Sequence, residues 1–342
     1  MKKITEAYIQ SLPKAEIHVH LEGSVTPEAL LRLGKKHKTE LAGMDPDKVR
    51  EKFFEYADFY DFLSTYKLVC QHLQSPEDYL DTLRDLGQYF QRENILYAEV
   101  IYTPSIPWKL GRDGAEILGV LLEESAKFED VHGVRIRWIL DCVRQFGREA
   151  AERTAELAWQ SRAQGVVGVG LGGDEKAGSL SEYEEVFNWV RAHELFVHVH
   201  AGEIGGPSEI WEALQILGAN RIGHGIQASR DSKLMGYLRD HAIGLDICLT
   251  SNAKTKAWPL VSEHPFPLLF ERGVPVTLNT DDPGLFEVGL GTEYKKAVDT
   301  FELQEEDLHR IILQGIRSSF LPHDEKMSLM QLFSDKIQAS GE

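Results

Sequence analysis

The 342 residues carry 42% hydrophobic and 27% charged side chains, an ordinary globular balance, and no apolar run approaches the roughly 20 residues that a membrane helix needs. With 54 acidic against 37 basic residues the formal charge is -17, which opposes nucleic-acid binding and favours a small, uncharged or locally neutralised ligand. Cys70, Cys142 and Cys248 are odd in number, far apart and set among apolar residues, and no apolar stretch with a cleavage site follows Met1 to Glu6, which suits reduced thiols in a cytoplasmic protein.

Length alone allows two domains, but one alternating pattern runs through the chain and predicts a single domain over residues 1–342. Short apolar, β-branched-rich runs recur at Ala15 to Leu21, Ile95 to Tyr102, Val134 to Leu140, Val166 to Leu171, Phe196 to His200, Arg221 to His224, Gly244 to Cys248 and Val274 to Leu278. Between them, segments such as Arg148 to Gln164, Leu180 to His193 and Pro207 to Leu217 have helical spacing. Strands alternating with helices imply a parallel sheet, and eight such units imply an α/β fold closed into a (β/α)8 TIM-type barrel. The first interval, Thr26 to about Asn94, is too long for one crossover helix. It reads as several helices, including the aromatic-rich Phe53 to Tyr66, inserted after the first strand and capping the C-terminal face of the barrel.

Polar residues gather at one end of these runs: His20-Leu-Glu-Gly23, Gly172-Gly-Asp-Glu175, His200-Ala-Gly-Glu203, His224-Gly225, Ser251-Asn252 and Thr280-Asp-Asp-Pro283. Barrel strand ends share one face, so these residues are expected to converge there. His18 and His20 have the same strand parity and face the same way, which makes a zinc half-site or a pair of ordinary core histidines. His200 and Asp281 add a third imidazole and a carboxylate, a set suited to one catalytic Zn2+ per chain. His198 shares the parity of His200 and is placed deeper in the barrel. Three further residues have chemistry available. Glu203 can donate a proton if a dry pocket raises its pKa, His224 can take one from water, and Asp282 can accept a hydrogen bond from substrate. Their structural alternatives are a helix-start carboxylate, a satisfied core histidine and a helix cap before Pro283.

The strings Lys14-Ala-Glu-Ile-His-Val-His-Leu-Glu-Gly23, Gly172-Gly-Asp-Glu175, His200-Ala-Gly-Glu203, Arg221-Ile-Gly-His-Gly225, Thr250-Ser-Asn252 and Leu278-Asn-Thr-Asp-Asp-Pro283 resemble, in order, the adenosine deaminase family of the amidohydrolase superfamily. The resemblance implies hydrolytic deamination of an adenine nucleoside at C6, of the adenosine-to-inosine type, with release of ammonia. It implies that His18, His20, His200 and Asp281 ligate zinc, and that Glu203 protonates N1 of the purine. His224 would orient and deprotonate the attacking water, Asp282 would bind N7, and the Gly173 N–H would reach N3. Asp281 would thus serve catalysis as well as the metal, and His20 would touch substrate. Phe59, Phe62, Leu63 and Tyr66 match the apolar lid helix over the sugar, although any one of them also fits a plain amphipathic core face. The implied partner is a small purine nucleoside, with no nucleic acid or membrane and with a homo-oligomer allowed.

Departures bear on the substrate. Glu22 stands where adenosine deaminases usually have an aspartate near the ribose 5'-hydroxyl. Ile101 stands where an arginine is common, and Leu249 where a proline is common. Gly223 stands where related adenine deaminases tend to carry an aspartate, which favours a nucleoside over the free base. Arg144, four residues past the expected end of the third strand, can overhang the mouth and pair with a substrate carboxylate, or with a surface acid. The alternative substrate is therefore 6-amino-6-deoxyfutalosine, an adenine nucleoside with a carboxyphenyl ketone at its 5' end, handled by relatives in menaquinone synthesis. Remoter readings are an adenine deaminase and a non-catalytic nucleoside-binding barrel, the latter disfavoured because all seven ligand and catalytic positions are intact.

Overall fold

The computed structural model describes residues 4–341. Eight strands pair in sequence order and parallel throughout: β1 (Lys14–His20), β2 (Ile95–Tyr102), β3 (Arg135–Val143), β4 (Val166–Gly172), β5 (Phe196–Ala201), β6 (Arg221–His224), β7 (Gly244–Ile247) and β8 (Val276–Leu278). They are almost wholly buried, as strands covered on both faces must be, which is why they read as continuous apolar runs. The architecture is the (β/α)8 barrel. Among the described residues no helix is long and apolar enough to cross a membrane.

Barrel closure is short and uses side chains. β8 begins at Val276, two residues later than its apolar run suggests, because Pro275 has no N–H to give a ladder. One parallel bridge, Val19 to Asp281, joins the seam. There the His20 N–H donates to the Asp281 carbonyl at 2.8 Å and the Asp281 N–H to that of His18 at 3.2 Å. Lower down, the Asn279 side chain accepts from the Ile17 N–H at 2.9 Å in place of a strand carbonyl.

The interval after β1 holds helices Pro27–His37, Pro46–Phe53, Phe59–His72 and Pro76–Arg92. Phe53 to Tyr66 is thus not one helix, as its aromatic pattern suggests. The chain breaks after Phe53 and restarts where Asp58 caps the Tyr60 and Asp61 N–H groups at 2.9 and 3.0 Å. β3 also runs on to Val143, so Arg144 follows it directly.

The lower interior carries an ion network beside the apolar cluster of Ile101, Ile139 and Phe320. Arg221 on β6 donates to Glu99 on β2 at 2.6 Å, to Asp246 on β7 at 2.7 Å and to the Ile17 and Ser318 carbonyls, with its plane 4.1 Å from the Phe320 ring. Removing the cation would strand two buried carboxylates. We expect Arg221→Met to cost ~3–5 kcal/mol, read as an earlier denaturant midpoint, with Arg221→Lys recovering only part because it lacks the planar fork.

Candidate active site

At the C-terminal mouth four donor atoms meet. His200 Nε2 lies 3.1 Å from His18 Nε2 and 3.2 Å from His20 Nε2, while Asp281 Oδ1 lies 3.2 and 3.3 Å from those two histidines. Tetrahedral zinc with bonds of about 2.0–2.1 Å spaces its ligands about 3.3 Å apart, so these four atoms fit the corners around one ion. Hydrogen bonding alone does not account for them, since each of the three Nε2 atoms faces two partners and a neutral ring nitrogen has one proton or one lone pair to offer. His18 Nδ1 and His200 Nδ1 are also buried without a hydrogen-bond partner. Burial and the surrounding histidines hold His200 far below the usual imidazole range, in the neutral form that ligates metal. Burial opposes ionisation of Asp281, but His224, His18 and His20 outweigh it and keep the carboxyl well below its ordinary range.

The backbone at these strand ends is bent to aim the side chains. Asp281 has φ +68° and His224 φ +58°, left-handed values that cost a non-glycine residue about 1 kcal/mol or more. The surroundings hold them: Ser251 Oγ donates to Asp281 Oδ2 at 2.7 Å, and Asn252 Nδ2 lies 3.2 Å from His224 Nδ1. His264 Nε2 fixes the far side of that amide at 3.2 Å from Asn252 Oδ1.

The other expected site residues divide into those on the cavity wall and those behind it. Glu203, His224, Asp282, Gly173, Phe59 and Phe62 line one cavity of about 540 Å³ together with His20, His200 and Asp281. Glu203 Oε1 accepts from Thr255 Oγ1 at 3.1 Å, and its Oε2 lies 3.6 Å from His224 Nε2. Burial, then Asp281 and Glu175, push its carboxyl far above the usual range, which favours the protonated form. Asp282 is raised in the same sense by burial and by Asp281, and its Oδ1 is buried without a partner. It caps no helix, since the next one begins at Leu290, and Gly23 makes room for it: a Cβ there would lie 1.7 Å from Asp282 Oδ1. Glu203 likewise precedes its helix, Pro207–Glu212, by a loop.

Two substrate contacts expected from sequence need correction. Arg144 does not reach the cavity. Because β3 continues to Val143, its guanidinium turns inward and is 4% exposed, donating to the Glu175 carbonyl at 3.0 Å, the His200 carbonyl at 2.6 Å and Glu209 Oε1 at 3.0 Å. Glu22 is buried behind the wall, accepting from the Thr103 N–H at 3.2 Å and the Tyr66 hydroxyl at 3.3 Å, and of these two side chains it is Tyr66 that lines the cavity. His198 occupies the layer beneath, 3.1 Å from Asp246 Oδ2, whose charge Arg221 already balances.

Some site residues escaped the sequence reading. Glu175 accepts the N–H groups of Glu203 and Ile204 at 3.0 Å each and that of Gly205, fixing the loop that carries Glu203. Asp141 on β3 lines the cavity with Oδ1 unpartnered, and burial pushes it up to about 8. Its signal lay on the neighbouring strand: a Cβ at Gly170 or Gly172 would come within 2.2 or 2.6 Å of an Asp141 oxygen, so the alternate glycines of β4 are the space it occupies.

A parallel barrel with an inward cluster of imidazoles and carboxylates at its C-terminal mouth defines the chain as an amidohydrolase-type hydrolase. The profile of the family described as adenosine deaminase matches residues 13–336, and the chain belongs to that family as a hydrolytic deaminase. It is 35% identical to an aminodeoxyfutalosine deaminase of Streptomyces coelicolor, over 92% of this chain and 82% of that one. It is 31% identical to an adenine deaminase of Crocosphaera subtropica, over 94% and 98%. In structure it resembles the adenine deaminase of Arthrobacter aurescens with a TM-score of 0.89 and 27% identity, covering 96% of this chain and 99% of that one.

Because Ser251 holds the Asp281 carboxylate, Ser251→Ala is expected, if that carboxylate ligates a metal, to weaken divalent-metal binding about 10–100-fold without unfolding the barrel, as read by chelator competition with metal analysis. An unchanged affinity would mean that the Asp281 orientation is set by the backbone alone.

Proposed function

We propose that the protein hydrolyses the 6-amino group of an adenine nucleoside extended at its 5' end, with 6-amino-6-deoxyfutalosine as the preferred substrate and adenosine a lesser one. The observation that carries this reading is the lining of the cavity. It combines the buried Glu203, Asp281 and Asp282 and the lid residues Phe59, Phe62 and Tyr66 with the more exposed apolar side chains of Leu63, Ile106, Leu110 and Phe146. Those more exposed apolar side chains would offer a berth for a group beyond the sugar. The aminodeoxyfutalosine deaminases of two Streptomyces species, at 35% and 34% identity, support the same reading. The free, buried state of Cys70, Cys142 and Cys248 supports a reducing, cytoplasmic setting.

Nε2 of His18, His20 and His200 and Oδ1 of Asp281 would hold one divalent metal, zinc in this reading, which when bound supplies Lewis acidity and lowers the pKa of water to about 7. The chain's own groups do the rest. Protonated Glu203 donates to N1, which draws electrons from C6 and opens it to attack. N7 is an acceptor, so Asp282 must also be protonated to bind it, and its raised pKa provides that proton; here it is a donor, not the acceptor its sequence position suggests. With Nδ1 facing the Asn252 amide nitrogen, His224 presents Nε2–H to the site, which suits orienting the incoming water; taking its proton requires the other tautomer and a reversed Asn252 amide. Glu175 and Thr255 hold Glu203 in place through the loop backbone and the carboxyl.

The function is tested by comparing kcat/KM for 6-amino-6-deoxyfutalosine, adenosine and adenine. A preference in that order is expected. Adenine as the best substrate would overturn the nucleoside reading, and adenosine as the best would return the chain to plain adenosine deamination.

The proton donor is tested by Glu203→Gln. Its kcat should fall by about 100-fold or more with the metal retained. Because the acid works protonated, wild-type kcat is expected to persist at low pH on this account and to fall as pH rises through the elevated pKa; that alkaline limb should be absent from the variant. Loss of metal instead would make Glu203 structural.

A further inference from the structure

The cavity lining is unevenly charged. Five carboxyl groups of its lining, Asp141, Glu175, Glu203, Asp281 and Asp282, are buried, whereas its two lysines, Lys67 and Lys109, are exposed. Lys67 lies on the helix Phe59–His72, whose cavity-facing stripe is otherwise Phe59, Phe62, Leu63, Tyr66 and Cys70 before Gln71. A lysine in that stripe breaks the apolar pattern without a local partner. Lys109 ends the short helix Ser105–Lys109 across the cavity, and its Nζ sits 3.9 Å from the centroid of Phe146, another wall residue. Among the described residues the lysines in ion pairs are Lys36, Lys127, Lys295 and Lys296; Lys67 and Lys109 are among those left without one, so no carboxylate occupies their ammonium groups. Uncompensated departures from local pattern concentrate at functional sites. A chain of charge -17 also repels an anionic ligand at long range, so a cavity that takes one needs cations of its own.

We propose that Lys67 and Lys109 form the anion-binding end of the cavity and receive a terminal carboxylate on the 5' extension of the substrate, the role that buried Arg144 cannot fill. This rests on the nucleoside reading of the site. The ammonium groups lie at the mouth, where a carboxylate stays partly hydrated; an aryl linker would lie against Phe146 and Leu63 on the way.

The test separates charge recognition from turnover. The deaminated 6-oxo product, which is not consumed, and its neutral methyl ester are titrated into the metal-loaded protein and into Lys67→Met, Lys109→Met and the double variant, which keep the apolar stems. The acid is expected to bind wild type about tenfold or more tighter than the ester, each single variant to lose about fivefold of that ratio, and the double variant to bring it to about one. The double Glu variant should favour the ester. Equal affinities in wild type, or an acid preference that survives in the double Met variant, would overturn the proposal. Turnover is read separately. A wild type that prefers the acid yet fails to deaminate 6-amino-6-deoxyfutalosine would refute the substrate reading and keep the lysine site; rapid deamination without acid preference would do the reverse.

Discussion

Three imidazole nitrogens and one carboxylate oxygen meet in a buried place, with neighbouring atoms 3.1–3.3 Å apart, and most of the barrel's unusual features keep them there. No single element supplies more than two. His18 and His20 come from β1, His200 from β5 and Asp281 from beyond β8, so the cluster exists only if the barrel closes. The seam is correspondingly built into the site: the bridge that joins β1 to the end of β8 is made by Val19 and Asp281, between the two histidines and at the ligand carboxylate. Closing the barrel and assembling the cluster are one event.

Beneath that layer the barrel interior carries charge beside the apolar cluster of Ile101, Ile139 and Phe320. Asp246 faces His18 and His198 from below and is itself paired with Arg221, which reaches Glu99 on the opposite side. Such a layer adds little net stability, because desolvation offsets the ion pairing, but it orients the imidazoles above it, and the loss of any one member leaves the others uncompensated. Glycine does the complementary work. Gly170 and Gly172 leave volume for Asp141, and Gly23 leaves volume for Asp282, so that carboxyl groups stand where a barrel would otherwise pack methyls.

The same packing separates the acidities of neighbouring carboxyl groups. Asp281, beside three histidines, is held well below the ordinary carboxyl range, while burial and the Asp281 charge push Glu203 and Asp282 well above it. Three carboxyl groups of similar intrinsic acidity are thereby split by their surroundings. The lysines of the same cavity, Lys67 and Lys109, are exposed where its carboxyl groups are buried, so its lining is not electrically uniform.

Much of this was legible in the chain. Eight apolar runs at regular intervals specify the barrel, because strands buried on both faces leave a continuous hydrophobic trace. The parity of His18, His20 and His200, with Asp281 at the end of the last run, brings the donors together because barrel geometry sends all strand ends to one face. What lay beyond the sequence was set by details too small for periodicity to report. Three extra residues of β3 turned Arg144 from the mouth into the core, and a break after Phe53 divided one aromatic pattern between two helices. Glu22 was tucked behind Tyr66, and Asp141 was lodged against glycines of the next strand. Sequence records which residue types alternate and where they recur; which side of a wall a side chain occupies, and whether its carboxyl keeps a proton there, depends on the volume and charge of neighbours that only the closed barrel brings within reach.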